Sequence, residues 1–538
     1  MLDRKQLLER GLALGISLPF LAQITGSGSA LAAVRRIDHR GAAAAQLVFV
    51  DGADAVTLDP HASPDASYSF NLCRGPAEAL VDYQVTSKGV VAAPRLAKSW
   101  KHNADATVWD FTLQPGVKFQ DGTPFNAQAA KANFDRILAL NLVPAGRIGG
   151  TTSIKSVTAL NAHTLRFTLA APNAAFVYPL ALMLMISPTA WNAHVQNNDY
   201  GQAWAANNIV GTGPYQIVNR IKGSSTTMQK WNGYWGGWKG KHVSSVVVDV
   251  AADPATRALM LQNGEADIAN GIATANLKAL RADSDILVHY VQAPGAQFAG
   301  CRFSGPLADV NVRRAMMWAF DSAGFIKSSL QGAGSVARGH LYTDFPYFDK
   351  SMPVLKQNMT KAKQYMAQSD HKNGFSATFL ILPAYVPYQA DMASVWQQNL
   401  KELGIDLKIQ AMASTAAFYA SIQDPNGADL WAWTGAAQTP DYIFQARRQW
   451  GTGYEYPRGV NGGYSNPTFD SLMNQIASTD DPKKLKANWS KVQKILINDV
   501  PFIPLFIPTN WQVKRKDWKG MPQNPFDLVP NYYHAYQA

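Results

Sequence analysis

The stretch from Pro94 to Asn126 decides the fold: residues 94–100 read Pro-Arg-Leu-Ala-Lys-Ser-Trp, and residues 109–126 read Trp-Asp-Phe-Thr-Leu-Gln-Pro-Gly-Val-Lys-Phe-Gln-Asp-Gly-Thr-Pro-Phe-Asn. Trp109, Phe111 and Leu113 alternate with polar residues, which is the period of a strand with one buried face. Pro115-Gly116 and Asp121-Gly122 mark turns, and the second lies between two short strand-like runs. The stretch therefore predicts short strands joined by tight turns, with a hairpin at Asp121-Gly122.

The size and composition of the chain indicate a globular protein. Its 538 residues predict two or three domains, because a single compact core rarely grows to this size. Hydrophobic residues make up 47% of the sequence and charged residues 16%, which is typical of a folded protein. The net charge of +11 is dispersed, without an arginine-rich arm or a basic helix, so no nucleic-acid partner is predicted. The 15 tryptophans and 20 tyrosines suit a core, and they also suit a site that stacks on small polar ligands.

Residues 1–32 have the pattern of a cleaved export signal. Arg4, Lys5 and Arg10 form a basic start, residues 11–22 form an apolar run too short for a stable membrane anchor, and Ala30-Leu31-Ala32 supplies small residues for cleavage. The order Asp-Arg-Lys-Gln-Leu-Leu resembles a twin-arginine signal with lysine as its second basic residue, so the twin-arginine and general secretory routes both stay open. No cysteine stands at the cleavage site, which argues against a lipid anchor. The mature chain is therefore expected in the periplasm; an amphipathic first helix is the alternative.

No motif for catalysis, metal binding or phosphate binding stands out in the sequence. The ten histidines form neither His-x-x-x-His nor His-Glu-x-x-His, and there is no Gly-x-Ser-x-Gly elbow. The glycine-rich turn at 210–215 leads into a strand instead of the helix that a phosphate loop requires. His61 and His340 are expected to be structural. Cys73 and Cys301 form no CxxC unit, and a single disulfide or two buried thiols both stay open. No catalytic residue, metal or cofactor is predicted.

Six segments in order resemble the solute-binding proteins of ABC importers for peptides, nickel chelates and opines, known as family 5. The first is the stretch Pro94–Asn126, which is similar to the family's block P-x-L-A-x-S-W … F-x-L-x-x-G-V-x-F-x-D-G-x-P. The resemblance covers nearly the whole mature chain in family order. The later segments are Val210–Tyr215, Gly264–Ile268, Pro306–Asp321, Tyr464–Asp470 and Asn498–Pro504.

This resemblance implies an α/β fold, the two-lobed periplasmic binding protein fold (type II-like, class C) with a hinged cleft. Lobe I would comprise residues 40–78, 186–295 and 506–538, with a small subdomain at 79–185, and lobe II would comprise 296–505. It also implies the periplasmic substrate-binding component of an ABC importer. Such a component binds a peptide-like or other small polar solute and delivers it to permease subunits in the inner membrane. We expect a monomer that performs no covalent chemistry.

The resemblance also places a ligand contact after the strand-like run that ends at Trp433. Trp433, Thr434, Gly435 and Ala436 would face the cleft, although Trp433 as a core residue is the alternative. Arg447 and Arg448, which follow this segment, could hold an acidic ligand group bidentately. Further contacts are expected from residues in a loop of lobe I and in an aromatic wall of lobe II, namely Tyr68, Phe418 and Tyr419.

Ala436 departs from the family's peptide-binding pattern. Peptide-binding members carry an aspartate at the matching position, which would pair with the ligand's α-ammonium group because a buried ammonium needs a charged partner. Its loss favours a ligand without that ammonium, such as an opine, an oligosaccharide, a blocked or cyclic peptide, or a metal chelate. A carboxylate elsewhere in the loop stays open, and Asp441 could be structural. A secreted hydrolase of glycans or peptides and a chemosensory receptor of the same fold are the alternative functions.

Overall fold

The computed structural model describes residues 46–538 except 64–67, 87–88, 384–385, 387, 414, 438, 456–458 and 522–531. The predicted export signal at residues 1–32 lies outside the described residues. Within them, no helix has both the length and the apolar composition that a membrane crossing needs. Cys73 and Cys301 are both buried free thiols, so of the two alternatives the structure shows the unpaired one.

The strands of the described chain are numbered in sequence order. They are β1 Gln46–Asp51, β2 Glu78–Ala79, β3 Val81–Thr86, β4 Gly89–Pro94, β5 Ala97–His102, β6 Val108–Leu113, β7 Ile154–Asn161, β8 Thr164–Leu169, β9 Leu184–Met185, β10 Tyr215–Ile221, β11 Ser225–Lys230, β12 Ser245–Val250, β13 Ile268–Ala269, β14 Ile286–Gln292, β15 Gln297–Cys301, β16 Gly334–Ser335, β17 Phe375–Ile381, β18 Ile405–Ala411, β19 Leu430–Thr434, β20 Phe502–Arg515, β21 Trp518–Lys519 and β22 Tyr536–Gln537.

Helices connect many of the strands along the chain. The α-helices are Tyr68–Cys73, Ala127–Leu140, Val143–Arg147, Gly150–Ser153, Pro188–Asn192, Gln202–Ala205, Pro254–Asn263, Leu277–Ala282, Val310–Ala319, Ser322–Ser328, Met359–Ala367, Gln389–Lys401, Thr415–Gln423, Ile443–Trp450, Pro467–Ala477 and Pro482–Asp499. Short 3-10 turns are Tyr178–Leu182, Thr274–Asn276, Gly305–Ala308 and Tyr532–His534.

One large sheet is shared by the two halves of the chain. Its strand order is β10-β11-β12-β1-β13-β20-β15-β19-β17-β18, and β14 and β16 also pair with β20. The C-terminal part of β20 pairs with β14, from Thr509 opposite Gln292 to the strand end. Its N-terminal part pairs with β15, where Phe506 lies opposite Gln297. A single continuous strand therefore belongs to both halves of the sheet.

The hydrophobic cores follow the same division. One cluster of buried residues is drawn from residues 296–507 together with Ala175. A second comes from residues 47–268 and 518–535, and a third, smaller cluster joins Val48 and Val50 to the helix Pro254–Asn263 and to Val513. The first cluster therefore lies in the unit formed by residues 296–507. The second and third clusters lie in the part of the structure formed by residues before 296 and after 507. The domain boundaries given above stay a prediction.

The opening stretch forms part of a separate four-stranded sheet, in the order β5-β6-β8-β7. Trp109, Phe111 and Leu113 of β6 are buried, which confirms the predicted alternation. The predicted hairpin is also present, because Lys118 and Pro124 form an antiparallel bridge around Gly122. Gly122 has a φ of 85°, the left-handed region that glycine adopts without strain. The stretch therefore contributes two strands of this separate sheet and a hairpin.

A buried ion pair fixes the loop after β1. Asp59 is 0% exposed and Arg136 is 3% exposed, and the guanidinium donates two hydrogen bonds to the carboxylate at 2.9 and 2.6 Å. The same guanidinium lies 2.9 Å from Nδ1 of His61, whose Nε2 lies 3.0 Å from the carbonyl of Leu184. The pair thereby connects the first loop to the helix Ala127–Leu140.

Arg136→Met should destabilise the protein strongly, because it leaves the Asp59 carboxylate buried without a charged partner. The free energy of unfolding should fall by about 3–5 kcal/mol, measured by urea unfolding of the mature chain. Arg166→Met is the matched control. Arg166 also holds a carboxylate by two hydrogen bonds, to Asp110, but its side chain is 40% exposed. Equal losses in the two variants would contradict this account.

Candidate ligand-binding site

The segment that follows β19 lies directly on the connection between the two halves of the sheet. In β19, Trp433 and Thr434 pair with β15. The pairing continues beyond the strand, because Gly435 N–H donates to the Ala296 carbonyl at 2.9 Å and Ala437 N–H donates to Pro294 at 2.9 Å. Residues 433–442, called the cleft loop below, therefore begin against the segment that joins β14 to β15.

A buried hydrogen-bond network fixes the conformation of the cleft loop. Trp433 Nε1 donates to Gln449 Oε1 at 3.0 Å, and the Tyr442 hydroxyl donates to the Gly435 carbonyl at 3.1 Å. Gln449 and Tyr442 are both 0% exposed. Since each buried polar group has a partner, the network favours one conformation of the loop.

Close packing at Gly435 and the backbone conformation of Tyr442 also constrain the cleft loop. A Cβ on Gly435 would lie 2.4 Å from Gln449 Oε1 and 2.5 Å from the ring of Phe298, so no larger residue fits without movement. Tyr442 has a φ of 58°, a left-handed conformation that costs a non-glycine residue on the order of 1 kcal/mol or more. It precedes the helix Ile443–Trp450. Its hydroxyl contact with Gly435 helps to offset that strain.

Trp433 is largely buried. It is 9% exposed and belongs to the core cluster of residues 296–507, with the Arg448 guanidinium over its ring at 5.1 Å from the centroid. Tyr419 contacts the same ring edge-on at 6.5 Å. Phe418 is 4% exposed and is a core residue. Only a small part of Trp433 is therefore accessible to a ligand, and ligand contact by these side chains stays a prediction.

The remaining predicted residues fall in three places. The Thr434 hydroxyl donates to Gln297 Oε1 at 2.9 Å, and Ala436 is half-buried two positions further along the same edge. Arg447 lies on the outer side of its helix, where it donates to Asn474 Oδ1 at 3.0 Å. Tyr68 begins the helix Tyr68–Cys73 in the other half of the molecule, close enough to Arg257 to affect its pKa. Thr434, Gly435 and Ala436 are thus brought together with Trp433, and Tyr68 lies apart from them.

Residues 174–178 contact the second half of the molecule. Ala174 N–H donates to the Ala477 carbonyl at 2.6 Å, and Tyr178 packs against both large cores. Burial raises the pKa of Tyr178, and the charge of Asp441 raises it further. Residues 174–178 therefore contact the unit formed by residues 296–507.

Sequence reasoning gave Asp441 no clear role in the site. Its Oδ1 accepts hydrogen bonds from the Thr439 hydroxyl at 2.7 Å and from Ile443 N–H at 3.3 Å. Burial raises the pKa of the carboxyl group to about 6, although these hydrogen bonds and Arg447 lower it. In the sequence, Asp441 is an acidic residue in a Pro-Asp turn. Such residues are common where a helix begins, and the pattern does not predict whether the carboxyl group is buried.

The histidines singled out in the sequence have structural surroundings. His61 and His340 are each 1% exposed and each contacts a backbone carbonyl, and burial lowers the pKa of both to about 4. Across the described part of the chain, no cluster of three or more histidine, cysteine or acidic side chains suits a metal ion.

Gly435→Ala should disturb the cleft loop, because the added methyl group must displace Gln449 or Phe298. We expect the free energy of unfolding to fall by about 1–3 kcal/mol. Gly146→Ala is the control: nothing lies within 4 Å of its added Cβ, and the site is helical, so stability should stay the same or rise slightly. Chemical denaturation of both variants checks this, and an unperturbed Gly435→Ala protein would refute the close packing.

Comparison with known proteins places this geometry in a family. The sequence profile of bacterial extracellular solute-binding proteins, family 5 middle, matches residues 92–454. The probable D,D-dipeptide-binding periplasmic protein DdpA of Escherichia coli K12 is 28% identical over 503 residues, covering 91% of this chain and 93% of that protein.

Solved structures agree with this assignment. The periplasmic binding protein DppA from Helicobacter pylori, in complex with the peptide STSA, superposes with a TM-score of 0.79 at 23% identity, covering 94% of this chain and 99% of the other. AgaA from A. tumefaciens R10, in complex with agropinic acid, gives a TM-score of 0.77 at 20% identity, covering 92% and 99%. These likenesses confirm the predicted two-lobed α/β fold. The chain belongs to the bacterial extracellular solute-binding proteins of family 5.

Proposed function

We propose that this chain is exported to the periplasm, binds one small polar solute at the cleft loop, and delivers it to the permease of an ABC importer. The observation that carries the proposal is the position of the cleft loop. It pairs through Gly435 and Ala437 with the segment that connects the two halves of the sheet. A solute bound there contacts the part of the molecule where relative movement of the lobes must occur. Binding would thereby favour a closed arrangement.

The ligand is proposed to be peptide-like or another small polar solute. The Escherichia coli relative is described as a probable D,D-dipeptide-binding protein, and structures of the same fold hold a peptide and agropinic acid. The fold therefore accommodates ligands of different chemistry. We propose that side chains of the cleft loop select among them.

The alanine at 436 supports a ligand that carries no α-ammonium group at this position. Ala436 is half-buried and follows the Thr434 edge of the loop, and an ammonium placed beside it would find no carboxylate on that residue. A buried ammonium without a charged partner costs several kcal/mol, on the order of the affinity of a weak ligand. Opines, blocked or cyclic peptides, oligosaccharides and metal chelates avoid that cost.

The proposal includes a monomer, a cleaved and unlipidated export signal, and no covalent chemistry. The family's members are binding proteins, which supports a receptor over a hydrolase. Residues 1–32 support export, since a basic start precedes a short apolar run and a small-residue site. The dispersed charge supports small solutes rather than nucleic acid as partners.

Native mass spectrometry of the protein purified from its own periplasm tests the function. We expect one small solute bound per chain, which is recovered chemically unchanged after denaturation and raises the melting temperature when added back. The control is the same protein after unfolding, dialysis and refolding, which should carry no solute and melt at a lower temperature. Turnover of the recovered compound would instead indicate an enzyme.

Ala436→Asp should create affinity for free-amino peptides. Di- and tripeptides with uncharged side chains should give no thermal shift with the natural protein. They should stabilise the Ala436→Asp variant, with affinity at least roughly tenfold higher, because the ammonium gains a charged partner. Ala436→Asn is the matched control, having the same shape without the charge. Micromolar binding of these peptides by the natural protein would contradict the interpretation of Ala436.

A further inference from the structure

A basic cavity lies between the segment that precedes β12 and the C-terminal end of the chain. Its volume is about 930 Å³, which is within the range of sites that hold small organic molecules. Within the described part of the chain no acidic residue lines this cavity, called the lysine cavity below. Its lining includes five basic side chains and one tyrosine, namely Lys241, His242, Lys514, Lys519, His534 and Tyr536.

Three lysine side chains converge on this cavity. Lys519 of β21 lies opposite Tyr536 of β22 in an antiparallel pair, and the Lys241 ammonium lies 5.5 Å from the centroid of the Tyr536 ring. Because residues at opposite positions of paired strands stand close together, Lys241 and Lys519 meet at one tyrosine. Lys514 of β20 lines the same cavity, where burial lowers its pKa and the charge of Lys519 lowers it further. Three positive charges therefore line one space.

No carboxylate neutralises these three ammonium groups among the residues that the structure describes. The three lysines form no ion pair and donate no hydrogen bond there. Two carboxylates of the same region, Asp285 and Asp517, instead pair with Arg515, each at 3.9 Å. Positive charges that are brought together without a counterion repel one another and attract anions. The lysine cavity therefore has the electrostatics of a site for a multivalent anion.

The segments that carry these lysines are held in place by buried neighbours. Trp518 and Ala535, which belong to or adjoin the β21–β22 pair, are 1% and 0% exposed. In the segment before β12, His242 Nδ1 lies 2.6 Å from the Tyr533 carbonyl oxygen, and the two rings stack with their centroids 4.5 Å apart. The segment before β12 and the C-terminal segment are thereby joined, so the lysines project from a fixed backbone.

The types of side chain favour phosphate as the anion. An ammonium group is a compact charge with three donors and is a common phosphate ligand, whereas the planar fork of arginine suits a carboxylate. No arginine is among the described residues that line the cavity. A phosphate monoester carries a charge of about −1.5 to −2 at pH 7, so it balances several ammonium groups better than a single carboxylate does.

We propose that the lysine cavity binds a phosphate group, carried either by a soluble compound or by the headgroup of a lipid. The ammonium groups of Lys241, Lys514 and Lys519 hold its oxygens. This site goes beyond the proposed function, because it is separate from the cleft loop. Lys514 lies opposite Leu287, toward the end of β14 that is farther from the segment with which the cleft loop pairs.

Soluble and lipid-borne phosphate are tested in two arms. In the first arm, calorimetry and thermal shift measure the binding of inorganic pyrophosphate and of glycerol 3-phosphate to the mature protein. In the second arm, the protein is sedimented with vesicles made of equal parts of phosphatidylglycerol and phosphatidylcholine. Vesicles of phosphatidylcholine alone are the blank for the second arm.

Two double variants are compared with the natural protein in both arms. The cavity variant carries Lys241→Gln and Lys519→Gln, and the control variant carries Lys222→Gln and Lys372→Gln. All four lysines are exposed, so the melting temperatures without probe should match that of the natural protein. The two variants have the same net charge and differ only in where the charge is lost.

We expect the natural protein and the control variant to bind at least one phosphate probe alike. The cavity variant should lose affinity roughly tenfold or more, because two hydrogen bonds to a charged group are removed. Binding in either arm supports the site, and binding only to the anionic vesicles assigns it to a lipid headgroup. The solute recovered from the native protein should leave the phosphate probe bound, since the two sites are separate.

Three results would overturn the proposal. They are no binding in either arm at millimolar phosphate, equal losses in the cavity and control variants, and displacement of the phosphate probe by the recovered solute. None of these results bears on solute binding at the cleft loop, which is measured with the recovered solute itself. Failure of the lysine cavity is therefore distinguishable from failure of the proposed function.

Discussion

The pairing of one strand with both halves of the main sheet is the constraint on which the rest of the structure depends. β20 carries hydrogen bonds to β14 along its C-terminal part and to β15 along its N-terminal part. Because buried backbone groups must keep their partners, neither ladder can slip without a large cost. The two halves are joined at the short region around Ala293–Gly295 and Pro508, where Ala293 N–H bonds to the Pro508 carbonyl. Because the cleft loop pairs with this same region, we propose that a ligand held there is coupled to the arrangement of the lobes.

One side of the cleft loop is fixed by buried hydrogen bonds, and some of its other positions are half-buried. Its base is fixed by Trp433, Gln449 and Tyr442, whose polar atoms bond to one another or to the Gly435 carbonyl. Ala436, whose side chain has no polar group, and Asp441 are half-buried positions of the same loop. If the solute binds at this loop, as we propose, its preorganised base lowers the entropy lost on binding.

The sequence predicted the fold well because its strongest signals are local. The alternation of Trp109, Phe111 and Leu113 and the Asp121-Gly122 turn depend on neighbouring residues, and the structure confirms both. The site was harder to predict, because burial and contact arise from residues distant in sequence. Trp433 has the same local pattern whether it lines a cleft or fills a core. The structure shows it 9% exposed and bonded to Gln449, and its contact with a ligand stays a prediction.

The central claim is that solute binding at the cleft loop changes the distance between the two lobes. Electron-electron double resonance tests it directly, with thiol-reactive spin labels on cysteines substituted at two exposed lysines, Lys222→Cys and Lys372→Cys. The two natural cysteines are buried and therefore protected from the label. The labelled protein would be measured free of solute and then saturated with the solute recovered from the native protein. The account predicts a broad distance distribution that narrows and shifts to shorter distances on binding. An identical distribution in both states would contradict it.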